Sequence, residues 1–373
     1  MLLHGPGRPG ARVKAERRRG LWPLPLLALV LGLGLNLGLG GCASFSFYGQ
    51  AVSGQWALLA KSRPVAEVQA DAATPDAVVQ GLAQAQRILR FAEDSLALPV
   101  GQRYQRYLAL DREAVVFNVF SVSPGTFALK TWCFPIAGCV PYRGYFSREG
   151  AQAEGDRLRA LGHDVYLGAA GAYSTLGWLP DPLLSTFPWE DAPALAELLF
   201  HELAHSVLYV PGEAAFNEAF ATAVGRAGRQ RWVVAQGRAA LEAQGARSAQ
   251  RACFAGVVSA LRAALAERFA GPSPGPSEAA QAALWAAARH RAEVLALGPG
   301  AEAYFSPPHS LARLLATSTY EQAVPAFQAA LAAAGGDLPA FYAAMAALDP
   351  GQRQALMASA MEPVGAELCA APL

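Results

Sequence analysis

Residues 191–224 restrict the fold more than any other stretch of the chain. Asp191, followed by Pro193, is a helix start. Leu195, Leu198, Leu199, Phe200, Leu203, Ala204, Val207 and Leu208 then cover most of a helical circumference, and a helix apolar all round is buried. The pattern predicts one helix from Asp191 to about Leu208, closed by Pro211-Gly212, and a second from Ala214 to Val224. These two apolar helices nevertheless carry His201, Glu202, His205, Asn217 and Glu218. His201 and His205 lie one turn apart and project from the same helix face. An ionised carboxylate in such surroundings costs several kcal/mol even after relaxation, a large share of an ordinary domain's stability.

A divalent cation removes the conflict. Two neutral imidazoles and one glutamate donate lone pairs, and a water fills the open position, as in catalytic zinc sites of the His₂Glu type. H-E-x-x-H on a helix is the signature of that site, and HELAH here has uncharged neighbours on both sides. Two glutamates compete to be the third ligand. Glu213 stands at the turn, where an acidic residue favours a helix N-terminus. Glu218 lies further into the second helix between Phe216 and Phe220, with no structural reason to be there. The sequence therefore assigns one Zn²⁺ to His201, His205 and Glu218, and leaves Glu202 as the catalytic base towards the water. The competing reading is a helix of hydrogen-bonded core histidines; chance matches to the motif usually fall in exposed polar helices, and this one does not.

The N-terminus reads as an address. Residues 1–20 are basic, residues 21–41 form an apolar run, and Cys42 follows Gly40 and Gly41. This order describes a secretory signal, and the end, LGGC, resembles the lipobox of bacterial lipoproteins. The reading predicts removal of residues 1–41, lipidation of Cys42, a tether over 42–60 and a mature domain over 42–373. An uncleaved membrane anchor is the alternative, since about 20 residues can span a bilayer. Pro23, Pro25, Asn36 and the glycines between 32 and 41 make a poor anchor. Ala43 after the cysteine resembles the pattern of outer-membrane lipoproteins. The expected location is the bacterial envelope, lipid-anchored in the outer membrane and facing the periplasm. The net charge is only +1, and the leader holds Arg8, Arg12, Lys14, Arg17, Arg18 and Arg19 against Glu16. The mature body is therefore mildly acidic, which speaks against a nucleic-acid partner.

Outside the cytoplasm disulfides persist. Cys133 and Cys139 sit in WCFPIAGCVPYRGYF, where Pro135 and Gly138 let the chain turn back, so a 133–139 disulfide is expected. The spacing is not that of a zinc ribbon. Cys253 and Cys369 either pair or stay as free thiols.

Residues 43–108 look helical, clearest in TPDAVVQGLAQAQRILRFAEDSLAL, with Thr74 and Asp76 as caps. Residues 113–178 turn β-branched and aromatic, broken by Gly and Pro. One helix interrupts them, with Ser147 as N-cap and Gly162 after its end. From Asp191 onward the pattern is helical, with a linker over 271–277. The expected fold is α+β and mostly helical. A small mixed β-sheet packs on the H-E-x-x-H helix, zincin-like, and the C-terminal half is helical.

FHELAHSVLYVPGEAAFNEAFAT, WCFPIAGCVPYRGYF and AYSTLGWLPDPLL together resemble a bacterial lipoprotein family of predicted aminopeptidases, a zincin-type group. The resemblance implies a zinc-dependent peptidase anchored in the envelope and acting on peptide substrates. It differs from thermolysin-like peptidases in a shorter spacing to the third glutamate. It also has Thr222 where they carry an aspartate that orients a histidine ligand. In zincins the strand before the active helix often pairs with extended substrate. GAYSTLGWLPDP stands in that place, so Tyr173 and Ser174, with Thr175, are candidates to face the cleft. Tyr173, Tyr320 and His309 are candidates for the transition-state donor. Aminopeptidases usually recognise the substrate's α-amine with acidic residues; Glu197, Glu213 and Asp181 are near the motif in sequence, and the sequence places none of them in the cleft. His163 and His290 read as surface residues. Two further function classes compete: a zinc-binding envelope lipoprotein with a scaffolding role, and a zinc hydrolase of non-peptide substrates.

Overall fold

The computed structural model describes residues 53–54, 56–134, 138–172, 180–271, 275–319, 323–359 and Cys369, without the side chains of 238–244 and 246–248. Residues 50–373 form one compact unit, while the predicted leader and Cys42 lie outside the described residues. No helix among the described residues is long and apolar enough to cross a membrane.

The chain is α+β and mostly helical, as its composition implies. After helical residues 53–54 and 56–61 come strand β1 (Arg63–Pro64), helix α1 (Val65–Ala70) and helix α2 (Asp76–Leu96). Helix α2 buries Leu82, Ala85, Ile88, Leu89, Ala92 and Leu96 along one stripe, the pattern of a helix laid on a core. Its start differs from the expected cap. Pro75 is the N-cap, and the Thr74 hydroxyl turns back to donate to the Val68 carbonyl at 2.7 Å.

The β-rich stretch gives β2 (Arg106–Leu108), β3 (Val116–Val122), β4 (Trp132–Phe134), β5 (Gly138–Val140) and β6 (Arg143–Tyr145). Helix α3 (Arg148–Arg159), β7 (Asp164–Ala170) and β8 (Leu183–Leu184) follow. The strands divide into three small sheets, β1-β2-β8, β6-β3-β7 and β4-β5, rather than one. The Gly and Pro breaks keep most strands too short to join a common sheet. Pairing is antiparallel except for β2 with β8. Ser147 caps α3 by accepting from Gly150 N, and Gly162 takes a φ of +80° just beyond its end. Cys133 and Cys139 face each other across β4–β5 and are bonded. Cys253 and Cys369 are also bonded.

The helical half contains α4 (Ala192–Ala204), α5 (Ala214–Ala235), α6 (Arg238–Phe269), α7 (Glu278–Val294), α8 (Pro299–Phe305) and α9 (Leu311–Thr319). It ends with α10 (Val324–Ala333), α11 (Leu338–Ala346) and α12 (Pro350–Ser359). Helices α4 and α5 sit in the main core, sharing it with α2, with Leu108 of β2, with Leu183 and Leu184 of β8, and with Phe327 and Phe341. A second cluster joins α6, α7 and α8 around Trp285 and Phe305. Two glycines bring α4 and α5 close. A Cβ on Gly225 would stand 2.9 Å from the Glu197 carbonyl oxygen and 3.3 Å from His201 Cβ. One on Gly228 would meet the Phe200 ring at 2.5 Å.

Candidate metal centre

Asp191 starts α4 as expected, its carboxylate accepting from Ala194 N at 3.0 Å. The helix ends at Ala204 rather than Leu208 because its last turn tightens. Ser206 N donates to Leu203 O at 3.0 Å and Val207 N to Ala204 O at 2.9 Å, the shorter bonding step common at helix ends. His205 becomes the C-cap but keeps helical backbone angles, so it still follows His201 by one turn. The chain then reverses at Val210–Glu213. Glu213 N donates to Val210 O at 3.1 Å, and Gly212 takes a φ of +83°. Proline second and a positive-φ glycine third make this a type II turn. Helix α5 leaves the turn and runs to Ala235, well beyond the expected Val224.

The turn folds Glu218 back onto both histidines. His201 Nε2 and His205 Nε2 are 3.2 Å apart. Glu218 Oε2 lies 3.3 Å from His201 Nε2 and 3.8 Å from His205 Nε2. A tetrahedron with metal bonds of about 2.1 Å has edges of about 3.4 Å, and the three separations bracket that length. Three lone pairs converging at such distances form a site that can hold a metal ion. The outer nitrogens differ. Thr222 Oγ1 stands 3.5 Å from His201 Nδ1, so the residue in the aspartate's place does face a ligand ring. Among the described residues His205 Nδ1 has no hydrogen-bond partner.

The protein charges alone already strain the site. Burial opposes a charge on His201, but the Glu218 hydrogen bond and the carboxylates of Glu218, Glu202 and Glu197 outweigh it and hold its pKa above the ordinary value. Burial, aided by His201, pushes His205 down to about 4, against the pull of Glu218. Burial raises Glu218, and the two histidines reverse that to a net lowering. Burial pushes Glu202 up to about 7, with Glu218 and Asp181 adding to the rise and His201 opposing it. A cation at the convergence point would stabilise both carboxylates and keep both imidazoles neutral.

A family model described as "Putative aminopeptidase" matches residues 46–357. The chain belongs to the Putative aminopeptidase family. No curated protein and no solved structure matches it. Membership of this aminopeptidase family supports a peptidase function, and the matched span contains the whole metal centre.

The aminopeptidase-family chain distributes its other candidate residues unevenly. Tyr173, Ser174 and Tyr320 lie outside the described residues. His309 stacks on Trp285, centroid to centroid at 4.9 Å. It lines a cavity of about 370 Å³ with Asp164 and Phe269, and no metal-centre residue shares that lining. His163 is not a free surface residue, since its Nδ1 pairs with the Ser121 hydroxyl at 2.8 Å. Glu213 forms a two-pronged ion pair with Arg353 at 2.7 and 2.8 Å. Glu197 pairs with Arg229, with Arg251 at 3.3 Å and with Arg226 at 3.6 Å. Asp181 is fully buried, and it acts electrostatically on Glu202 and on the buried Tyr104 hydroxyl. Tyr104 holds a φ of +63°, with its N–H on the Asp181 carbonyl at 2.8 Å. Sequence reasoning gave no role to Tyr104, because nothing local marks its neighbourhood to Glu202.

Proposed function

We propose that this chain is a zinc-dependent peptidase, an aminopeptidase, tethered to the bacterial envelope by a lipid on Cys42. One observation carries the reading: His201 Nε2, His205 Nε2 and Glu218 Oε2 converge within 3.2–3.8 Å, and Glu202 lies beside His201 on α4. Two imidazoles and one carboxylate are the donor set of hydrolytic zinc sites, which keep a fourth position open. Zinc held there would supply Lewis acidity to the reacting oxygens. Glu202 takes a proton from the attacking water and passes it to the leaving amine. Its partial burial excludes bulk water, and a nearby cation favours the ionised form that a base needs. The apolar run before Cys42 supports export, and acyl chains bury about 0.8 kcal/mol per CH₂ in a bilayer.

Metal analysis of the purified protein should find about one zinc per chain, strongly reduced in Glu218→Ala. Peptides with free N-termini should be cleaved, and a chelator should abolish cleavage. A zinc-free protein, or unchanged occupancy in Glu218→Ala, refutes the metal assignment. A zinc-loaded protein inert to a peptide library refutes the peptidase.

A further inference from the structure

We infer that Asn217 is a positioning residue for Glu218, acting through the turn that joins α4 to α5. The inference rests on the zinc reading above and concerns how this chain builds that site.

Asn217 is 1% exposed, in the first turn of α5 and directly before the carboxylate ligand. A buried primary amide needs partners for both ends. Both find them on one residue. Asn217 Oδ1 accepts from Val210 N at 2.8 Å, and Asn217 Nδ2 donates to Val210 O at 2.8 Å. The side chain thus closes a ring across the reversal, pairing with Val210 as a neighbouring strand would.

The turn needs this closure. Pro211 has no N–H, and Gly212 is the least restricted residue a chain can use. The turn's own backbone supplies one bond, from Glu213 N to Val210 O at 3.1 Å. With Asn217 removed, Val210 N loses its partner, the Glu213 N bond to Val210 O is left alone across the reversal, and the loop from His205 to Glu218 can hinge at Gly212. The clamp joins the irregular segment that follows the histidine-bearing helix, which ends at Ala204, to the start of the glutamate-bearing one. It thereby sets the path by which the chain returns Glu218 to the histidines. Asn217 is not one of the converging donors: both of its polar atoms are held by Val210.

The first turn of α5 is also held from outside. Arg353 grips Glu213, and Gly138 of the disulfide hairpin lies so close that a Cβ on it would meet Gly212 N at 2.3 Å. These contacts set where the turn sits, and Asn217 sets its internal geometry.

The test is zinc affinity, measured on purified full-length protein by competition with a chromophoric chelator. Asn217→Ala, and the milder Asn217→Ser, should bind zinc roughly 10- to 100-fold more weakly, the usual cost of losing a group that orients a ligand. A role confined to folding lowers the melting temperature of the metal-free protein but leaves affinity alone. A double-mutant cycle isolates the route. If Asn217 acts through Glu218, its substitution costs much less zinc affinity in a Glu218→Ala background than in the wild type. Wild-type affinity in either folded Asn217 variant, or fully additive losses in the cycle, overturns the inference while the zinc reading stands. A wild-type protein that binds no zinc overturns both.

Discussion

Glu202 stands between the proposed ligands His201 and His205 in sequence, and its carboxyl is drawn to about 7 by burial, Glu218 and Asp181, against the pull of His201. Glu202→Gln keeps the shape but removes the basic oxygen. Zinc content should stay near one per chain, and peptide cleavage should fall by about 10²-fold or more. Equal rates with zinc bound in both forms would remove Glu202 from the reaction. A second outcome follows from His201. Zinc must displace any proton on that ring, and Glu218 holds the metal-free ring's pKa above its usual range. Zinc affinity should therefore begin to fall above the ordinary imidazole value as pH is lowered, by up to roughly tenfold per pH unit for one proton. A chelator titration that is flat between pH 8 and 6 would contradict this. The convergence of His201, His205 and Glu218 was legible in sequence because helix geometry alone fixes His201 against His205, and because an unexplained carboxylate among phenylalanines stands out. The partners of Glu213 and the clamp of Asn217 were not. One depends on an arginine 140 positions away, the other on where a turn presents a backbone.

The two central helices owe their closeness to missing side chains. A methyl group at Gly225 would press on the Glu197 carbonyl at 2.9 Å and on His201 Cβ at 3.3 Å, and backbone cannot swing aside. Gly225→Ala should destabilise the protein by about 1–3 kcal/mol, the typical cost of overpacking, and weaken zinc binding by displacing a ligand-bearing segment. Urea unfolding and chelator competition on the same variant would report both, and wild-type values in both would show that the helices can part without effect. Periodicity located α4 and the start of α5 but misjudged their ends. The residues after Ala204 stay apolar, so the pattern continues, while the approach to Pro211 tightens the last turn. Three small sheets replaced one for a related reason. Strand propensity marks the runs, but pairing partners are set by tertiary packing that no single run encodes.

At the scale of the molecule, the fold class was readable from composition and periodicity, and the second disulfide was left open because Cys253 and Cys369 lie 116 residues apart. The proposed anchor makes a separate claim about the whole chain. Cys42→Ser should leave the leader uncleaved, visible as a larger mass retaining residues 1–41, and no fatty acid should be incorporated. A Cys42→Ser protein that is still processed and membrane-bound would place its attachment elsewhere.

The ion pair between Glu213 and Arg353 spans 140 residues, whereas the three proposed metal ligands fall between residues 201 and 218. Closing a short loop is entropically cheap, and each added length of chain adds only slowly to that cost. On a chain made from its N-terminus, the ligands emerge together and early. Arg353 emerges almost at the end. The proposed centre therefore has its three donors while more than a third of the protein is still unmade, and it acquires its outer brace only with the last helix among the described residues.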